Sequence, residues 1–340
     1  MLRRKRFWLG LTISLTFLTV FLVRTDFGEI YDAFKVADYR LALAAVPLYF
    51  AGFWLRSLRW RLLLRPVGDV STARLYPVVL IGLMTNNVVP GRIGELVRAY
   101  LVGQRESLSK SAALGTVAVD RIFDGLTLVA ILAAVTAFSG AGAAVQGIGA
   151  LTALVFAGGT AVLVALAFSP ARARHLVLSL AAFLPDRVTA RVENLIDAFL
   201  SGLVAIRSPM VMLQAALLSL ASWLVEAAMY WLVGLAFDLD VGFHVYLLIA
   251  AAANLALTIL PSPGGIGPFE LATQRVLAFF SVGSAASSAY AIVLHVLLLG
   301  PVIIVGFSLL WLARLSLNDI LGISRPPPAE PLPLTEGALE

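Results

Sequence analysis

Two apolar stretches of this chain are each interrupted once, the first by Asn86-Asn87-Val88-Val89-Pro90-Gly91-Arg92 and the second by Pro261-Ser262-Pro263-Gly264-Gly265. Pro removes a helical hydrogen bond and Gly loosens the backbone, so we expect the stretches 75–103 and 244–280 each to split into two helical arms. The arms of the first stretch reach only about 22 Å and about 16 Å at 1.5 Å per residue. Neither crosses a hydrocarbon core of about 30 Å. The sequence therefore predicts two re-entrant helical hairpins.

The composition indicates that lipid is the solvent of this chain. Of its 340 residues, 60% are hydrophobic and only 13% are charged, whereas soluble domains carry about 25% charged residues. So few polar groups cannot cover a surface that faces water. We predict an all-α polytopic membrane protein with about six full transmembrane helices, at 7–23, 41–64, 111–138, 148–168, 210–236 and 286–313.

Basic residues are spread unevenly over the segments that join these spans. With the N-terminus in the cytoplasm, most arginines fall on the cytoplasmic side, while 139–147 and 281–285 carry none. A full crossing by the first hairpin would move the arginine-rich segment 171–209 outside, against the positive-inside rule. We therefore expect a cytoplasmic (plasma) membrane protein with both termini in the cytoplasm. The span 7–23 is expected to be retained, because no small-x-small cleavage site follows it.

One transmembrane domain is expected to occupy 1–320. Within it, apolar residues at helical spacing predict an amphipathic helix at the cytoplasmic surface, at about 176–204. The proline-rich tail 321–340 is expected to be disordered and cytoplasmic.

An internal repeat relates the two broken stretches. Pro90-Gly91-Arg92-Ile93-Gly94 aligns with Pro263-Gly264-Gly265-Ile266-Gly267 at an offset of 173 residues. The same offset gives two units, at about 41–138 and 210–313, each with the order span, hairpin, span. Because the leading spans run in opposite directions, the repeat is expected to be inverted and the two tips to approach each other near the midplane. Inverted repeats with broken helices are typical of transporters.

The first hairpin concentrates polar residues that could bind a substrate. Arg92 and Arg98 offer guanidinium donors to a phosphate, and Asn86 and Asn87 offer amides. The helix that starts near Glu95 has free N–H groups and a positive dipole end. The alternative is structural, with the asparagines capping backbone groups and Glu95 favouring a helix N-terminus.

The second hairpin is rich in glycine. Gly264, Gly265 and Gly267 expose backbone amides that could form an anion nest beside Ser262. A tight turn that needs small residues is the equal alternative. Glu270 is a candidate for coupling or gating, and compensation of a helix dipole competes with that role.

Charged residues inside spans are functional candidates, because they are costly in lipid. Asp120, Arg121, Asp124 and Glu226, together with Glu95 of the first hairpin, are expected to couple or gate transport. For Arg121 and Asp124, at i and i+3, a buried ion pair that fixes helix register is the favoured alternative. His295 is more readily interpreted as a hydrogen-bonded packing residue than as a proton carrier.

Arg56 and Arg59 lie at the predicted cytoplasmic end of their span. They either anchor the helix at the interface or bind a lipid headgroup. The chain has no cysteine and three separated histidines, so we expect no metal and no cofactor.

Several motifs together resemble the lysylphosphatidylglycerol synthase transmembrane-region family, whose members are described as flippase-like. They are Arg56-x-x-Arg59-Trp60, Asn86-Asn87-x-x-Pro90-Gly91-Arg92-x-Gly94-Glu95-x-x-Arg98, Asp120-Arg121-x-x-Asp124 and Pro261-x-Pro263-Gly264-Gly265-x-Gly267-x-x-Glu270. The resemblance covers about 40–315. Bifunctional members add a soluble aminoacyl-lipid synthase, which we do not expect here, because only the proline-rich tail follows.

The resemblance and the repeat together predict a transporter rather than an enzyme. Its substrate is expected to be a membrane lipid, either an anionic phospholipid or a polyprenyl-phosphate-linked one, and nucleic acid is not expected as a partner. A homo-oligomer or a partner enzyme is compatible with the sequence. Two alternatives remain, an accessory or scaffold protein in envelope or glycolipid biosynthesis and a lipid-modifying transferase. No nucleophile elbow or P-loop favours the transferase.

Overall fold

The computed structural model describes residues 31–32, 34–35, 37–89, 93–139, 143–181, 186–259 and 262–313, and these form helices and no strand. The predicted all-α class is therefore confirmed. The predicted span 7–23 and the tail 321–340 lie outside the described residues. The helices are labelled in chain order as α1 (Tyr39–Ala44), α2 (Val46–Leu64), α3 (Thr72–Val88), α4 (Gly94–Arg105), α5 (Lys110–Ser139), α6 (Ala143–Phe168), α7 (Pro170–Ala181), α8 (Asp186–Gly202), α9 (Pro209–Ala236), α10 (Phe243–Ile259), α11 (Pro268–Phe279) and α12 (Ser284–Leu312).

Long apolar helices form the frame of the molecule. Three in the described part of the chain are long and apolar enough to cross a membrane, namely Tyr39–Leu64, Pro209–Ala236 and Ser284–Leu312. They coincide with the predicted spans 41–64, 210–236 and 286–313. A bent pair, Ala153–Phe168 with Pro170–Leu180 at 103°, is a fourth candidate. A helix also lies at each of the other two predicted positions, as α5 and α6.

Local sequence explains where several helices begin. The Asp38 carboxylate accepts hydrogen bonds from Arg40 N (2.9 Å) and Leu41 N (3.3 Å) before α1. Ser208 caps α9 by accepting from Val211 N (3.4 Å), and proline follows as the first helical residue. Proline suits that position, because its missing N–H would have no helical acceptor there.

Both predicted breaks are present. Helices α3 and α4 pack against each other on either side of the first break, and α10 packs against α11 on either side of the second. A short 3₁₀ turn, Pro263–Gly265, lies inside the second break. Each apolar stretch therefore folds as two arms that contact one another.

The predicted surface helix at about 176–204 is two helices, α7 and α8. Pro185 in the sequence between them cannot donate a helical hydrogen bond. Among the apolar residues of this predicted segment, Leu203 is buried, while Val188 and Leu195 are exposed. Helix α8 packs closely on α5, where a Cβ on Gly202 would lie 2.1 Å from the carbonyl oxygen of Ala112.

The order of elements repeats with the predicted offset. Adding 173 to the bounds of α5 gives 283–312, against 284–312 for α12. The packing also follows the repeat. Helix α3 of the first unit packs on α12 of the second unit, and the equivalent helix of the second unit, α10, packs on α5 of the first unit.

The leading helices of the two units run antiparallel. Asp38, ahead of α1, donates its backbone N–H to Ala236 O at the end of α9 (2.8 Å). Arg59, near the end of α2, donates to Ser219 in the first half of α9 (2.7 Å). This antiparallel pairing is what an inverted repeat requires of its equivalent helices.

Candidate functional site

The two breaks meet at one cavity of about 340 Å³. Asn87 of α3 lies against the glycine turn, since a Cβ on Gly264 would lie 3.7 Å from the carbonyl oxygen of Asn87. The end of the first arm of the first stretch therefore lies against the second break, whereas the predicted tip of the first hairpin, Pro90-Gly91-Arg92, lies outside the described residues. The polar and charged residues that line the cavity are Tyr49, Arg56, Asn86, Asn87, Glu95, Arg121, Asp124, Trp223, Glu226, Tyr230, Asn254, Thr258, Ser262 and His295.

Asn86 organises the first break on its described side. Its side-chain oxygen accepts from Gly94 N (2.7 Å), which caps α4, and its amide donates to Glu95 Oε1 (3.1 Å). The two arms are so close that a Cβ on Gly94 would lie 2.0 Å from Gly82 O. Asn86 thus caps a backbone N–H group, which is the role that the sequence offered as the alternative to substrate binding. It also lines the cavity. Arg92 lies outside the described residues.

Glycine conformation shapes the second break. Gly264, Gly265 and Gly267 have φ angles of 62°, 76° and 95°, which side chains with a Cβ adopt only at a cost. The Glu270 carboxylate accepts from Gly267 N (2.7 Å) and so caps α11. This contact is the helix-terminal role that the sequence offered as one alternative for Glu270.

The imidazole of His295 in α12 bridges this turn and the start of α11 by hydrogen bonds. Its Nδ1 lies 2.5 Å from Glu270 Oε1, and its Nε2 lies 2.9 Å from Gly264 O. The Phe269 ring lies against the imidazole at 4.4 Å between centroids.

A buried ion-pair network stands beside the cavity. Arg59 has no exposed side-chain surface and forms ion pairs with Asp120 Oδ1 (Nε, 2.8 Å) and Asp124 Oδ1 (Nη2, 2.8 Å). Asp120 Oδ2 pairs with Arg98 Nη2 at 3.0 Å, and the Arg98 guanidinium lies over the Trp60 ring at 4.3 Å. Buried charges persist only with such partners. Arg59 and Arg98, predicted to bind substrate, therefore lie behind the cavity wall rather than in its lining.

Arg56 and Glu226 join the two repeat units at the wall itself. Arg56 Nη2 of α2 lies 2.7 Å from Glu226 Oε2 of α9. Tyr230 donates its hydroxyl to Glu226 Oε1 (3.2 Å), and the Arg56 guanidinium lies over the Trp223 ring at 4.3 Å. The sequence identified Arg56 and Glu226 but not the two aromatic residues. Their spacing of three and four residues from Glu226, on one helical face, is the signal that could have indicated them.

Arg121 connects α5 to the first break. It pairs with Asp124 Oδ2 at 3.3 Å, the i, i+3 contact expected from the sequence, and with Glu95 Oε1 at 3.0 Å. The whole network is charge-balanced in the described chain, with four guanidiniums (Arg56, Arg59, Arg98, Arg121) against four carboxylates (Glu95, Asp120, Asp124, Glu226).

Three buried polar atoms of cavity-lining residues have neither a hydrogen-bond partner nor an ion-pair partner among the described residues. They are Arg56 Nε, Trp223 Nε1 and Ser262 Oγ. Buried donors of this kind normally find an acceptor. All three can donate a hydrogen bond, so the cavity is suited to a ligand rich in acceptor oxygens. No cluster of three or more metal-ligating side chains occurs in the described ranges.

Long apolar helices, repeated broken stretches and a buried polar cavity define the chain as a polytopic membrane protein. It belongs to the family described as lysylphosphatidylglycerol synthase TM region, which matches residues 7–306. This match confirms the resemblance found in the motifs.

Curated relatives agree with a membrane protein. The chain is 29% identical to the glycosyltransferase AglD of Haloferax volcanii over 86% of its own length and 52% of that protein. It is 25% identical to a UPF0104 membrane protein of Methanothermobacter thermautotrophicus, over 85% of this chain and 88% of the relative. The chain thus spans about half the length of AglD. No solved structure matches.

Proposed function

We propose that this protein moves an anionic lipid, or a lipid-linked substrate, across the cytoplasmic membrane. The headgroup passes through the cavity between the two breaks while the acyl or prenyl tails stay in the bilayer. The observation that carries the proposal is the meeting of two equivalent helix breaks at one buried polar cavity. Irregular backbone survives at membrane depth only where protein buries it or where it lines a polar cavity, and transporters place their substrate sites there.

The free donors at the cavity indicate how a headgroup is held. Trp223 Nε1, Ser262 Oγ and Arg56 Nε are available to phosphate or sugar oxygens without breaking any protein contact. Asn87 adds a side-chain amide to the lining. A volume of about 340 Å³ is at the lower end of ligand pockets, which suits a headgroup and excludes a whole lipid.

The ion pair between Arg56 and Glu226 acts as a gate for the headgroup, because Arg56 can exchange the Glu226 carboxylate for a phosphate. In the structure its guanidinium is neutralised by Glu226 across the two repeat units. A phosphate that enters the cavity competes with this carboxylate for the same donors. The contact between α2 and α9 then weakens, and the units can rock against each other as inverted repeats do.

A second function is favoured by the similarity to AglD, which is named a glycosyltransferase. In this reading the chain is a membrane component of glycolipid biosynthesis that serves glycosyl transfer to a lipid, with or without moving the lipid. Because the chain spans about half of AglD, that relative's activity is not carried over to it.

Reconstitution into liposomes with fluorescent phosphatidylglycerol or polyprenyl-phosphate probes tests the first proposal. We expect transbilayer movement faster than in protein-free liposomes. Arg56→Gln should slow it, since Glu226 is left as an unpaired buried charge, and the double variant Arg56→Gln/Glu226→Gln should fold normally but still move lipid slowly. The control is Arg74→Gln, which removes an exposed partner of Glu106. Equal rates with and without wild-type protein for every probe would count against transport, and glycosylated lipid product would favour the alternative.

A further inference from the structure

We propose that His295 and Glu270 form a proton-binding site at the second break, and that the bound proton couples to movement of the lipid headgroup. The inference rests on the proposed transport for its coupling role, whereas the proton site itself rests on local geometry alone. Both residues are buried, with His295 only 5% exposed. The ligand of this site is a single exchangeable proton.

Hydrogen-bond geometry fixes the proton count. Gly264 O is a carbonyl oxygen, which only accepts, so His295 Nε2, at 2.9 Å from it, carries a hydrogen. The 2.5 Å separation of Nδ1 from Glu270 Oε1 also needs a hydrogen between the two atoms, because two lone pairs would repel. A neutral imidazole has one ring hydrogen and a carboxylate has none. A pair that makes both bonds therefore holds one proton more than a neutral histidine with an ionised glutamate.

The surroundings favour this extra proton. Without it, the pair carries one uncompensated negative charge in a buried site, and with it the pair is neutral overall, whether as imidazolium and carboxylate or as imidazole and carboxylic acid. Burial of an unpaired charge is far more costly than burial of a neutral pair. The second carboxylate oxygen of Glu270 is already bonded to Gly267 N, so the proton lies on the side of Oε1.

Other titratable groups near the site have their own partners. Phe269 of α11, Leu257 of α10 and the glycine turn, which pack closest to the imidazole or to that turn, bring no charge. Across the cavity, the titratable side chains are Tyr49, Arg56, Glu95, Arg121, Asp124, Glu226 and Tyr230. The charged ones among them are joined to one another or to the buried arginine Arg59.

Loss of the proton would release the turn. A neutral ring can donate to Glu270 or to Gly264, but not to both. One of the two bonds that His295 makes, to Glu270 of α11 or to Gly264 of the glycine turn, is then lost. Because Gly264 and His295 both line the cavity, a change at this turn alters the wall that contacts the headgroup. Proton binding and headgroup movement are thus linked through one structural element.

The test uses the fact that the chain has only three histidines, His175, His244 and His295. Double His→Gln variants leave either His295 or His244 as the single ¹⁵N-labelled histidine in lipid nanodiscs. Ring ¹⁵N chemical shifts report whether each nitrogen carries a hydrogen. The exposed His244 is the matched control, measured under the same conditions.

We expect a hydrogen on His295 Nε2 and a second hydrogen shared between Nδ1 and Glu270 at neutral pH, and Glu270→Gln to abolish the shared hydrogen. Glu106→Gln, a substitution of a distant carboxylate, should change nothing. A His295 ring with one bare nitrogen and no hydrogen shared with Glu270 at neutral pH would overturn the proposal.

A second measurement addresses coupling. In proteoliposomes, lipid movement by the wild type should respond to an imposed pH difference, and this response should be lost in Glu270→Gln. A proton site confirmed by NMR with lipid movement indifferent to the pH difference would overturn the coupling. If the wild type moves no lipid at all, transport itself fails, and the NMR result still decides the proton site independently.

Discussion

Asp120 is the residue whose substitution tests the buried network most sharply. Its two carboxylate oxygens accept from different arginines, Oδ1 from Arg59 Nε (2.8 Å) and Oδ2 from Arg98 Nη2 (3.0 Å). In Asp120→Asn one of these oxygens becomes an NH₂ group. Whichever way the amide turns, a donor then faces a guanidinium donor in a site that is 1% exposed. The substitution keeps the shape of the side chain and removes its charge.

The expected cost follows from leaving a buried cation without its anion, about 3–5 kcal/mol. For a chain of this size that corresponds to a fall of roughly 4–7 °C in the unfolding temperature. The assay is thermal unfolding in a mild detergent, followed by circular dichroism or tryptophan fluorescence. The matched control is Asp69→Asn, because Asp69 pairs with Arg61 at 3.3 Å while its side chain is 73% exposed. That substitution should cost less than about 1 kcal/mol.

A double variant tests whether the loss of stability comes from the unpaired cation. In Arg98→Gln/Asp120→Asn the excess cation is removed as well, so part of the stability should return. The reasoning is refuted if Asp120→Asn unfolds at the same temperature as Asp69→Asn. It is also refuted if the double variant is less stable than the sum of the two single changes predicts.

Two further substitutions test the packing of the first break and the cavity donors. Gly94→Ala should destabilise the fold by about 1–3 kcal/mol, because the new Cβ would lie 2.0 Å from Gly82 O, whereas Gly158→Ala, with nothing within 4 Å, should stabilise α6 by up to about 1 kcal/mol. Chemical denaturation of both variants checks the opposite signs, and equal effects would show that the arms are not in contact. Trp223→Phe keeps a ring beneath Arg56 but removes the free N–H. It should raise the lipid concentration needed for half-maximal movement several-fold without lowering stability, and an unchanged concentration dependence would remove Trp223 from the headgroup site.

The two breaks and the repeat could be predicted from sequence, because their signals are local. Pro and Gly interrupt helices wherever they occur, and an offset of 173 residues can be found by aligning the chain with itself. The same local rule, applied to Pro185, would have divided the predicted surface helix. Asn86 and Glu95 were identified as polar residues of the hairpin, with capping given as one alternative.

The partners of the charged residues could not be predicted. Arg59 and Asp120 are 61 residues apart, and Arg56 and Glu226 are 170 apart, so their pairing depends on how the helices pack. The sequence therefore indicated a phosphate-binding role for Arg98 and either interfacial anchoring or headgroup binding for Arg59, whereas tertiary packing buries both against carboxylates. For the same reason the neighbours of His295 were not foreseen, since Glu270 and Gly264 reach it only when α12 lies beside the second break.

The most direct test of the account asks whether the two tips must move apart for lipid to cross. The chain contains no cysteine, so Asn87→Cys/Gly264→Cys introduces the only two thiols, in residues that touch across the cavity. A short reducible cross-linker between them should stop lipid movement in proteoliposomes, and reduction should restore it, while each single-cysteine variant treated in the same way keeps its rate. Lipid movement at the same rate in the cross-linked and the reduced protein would contradict a path between the two breaks.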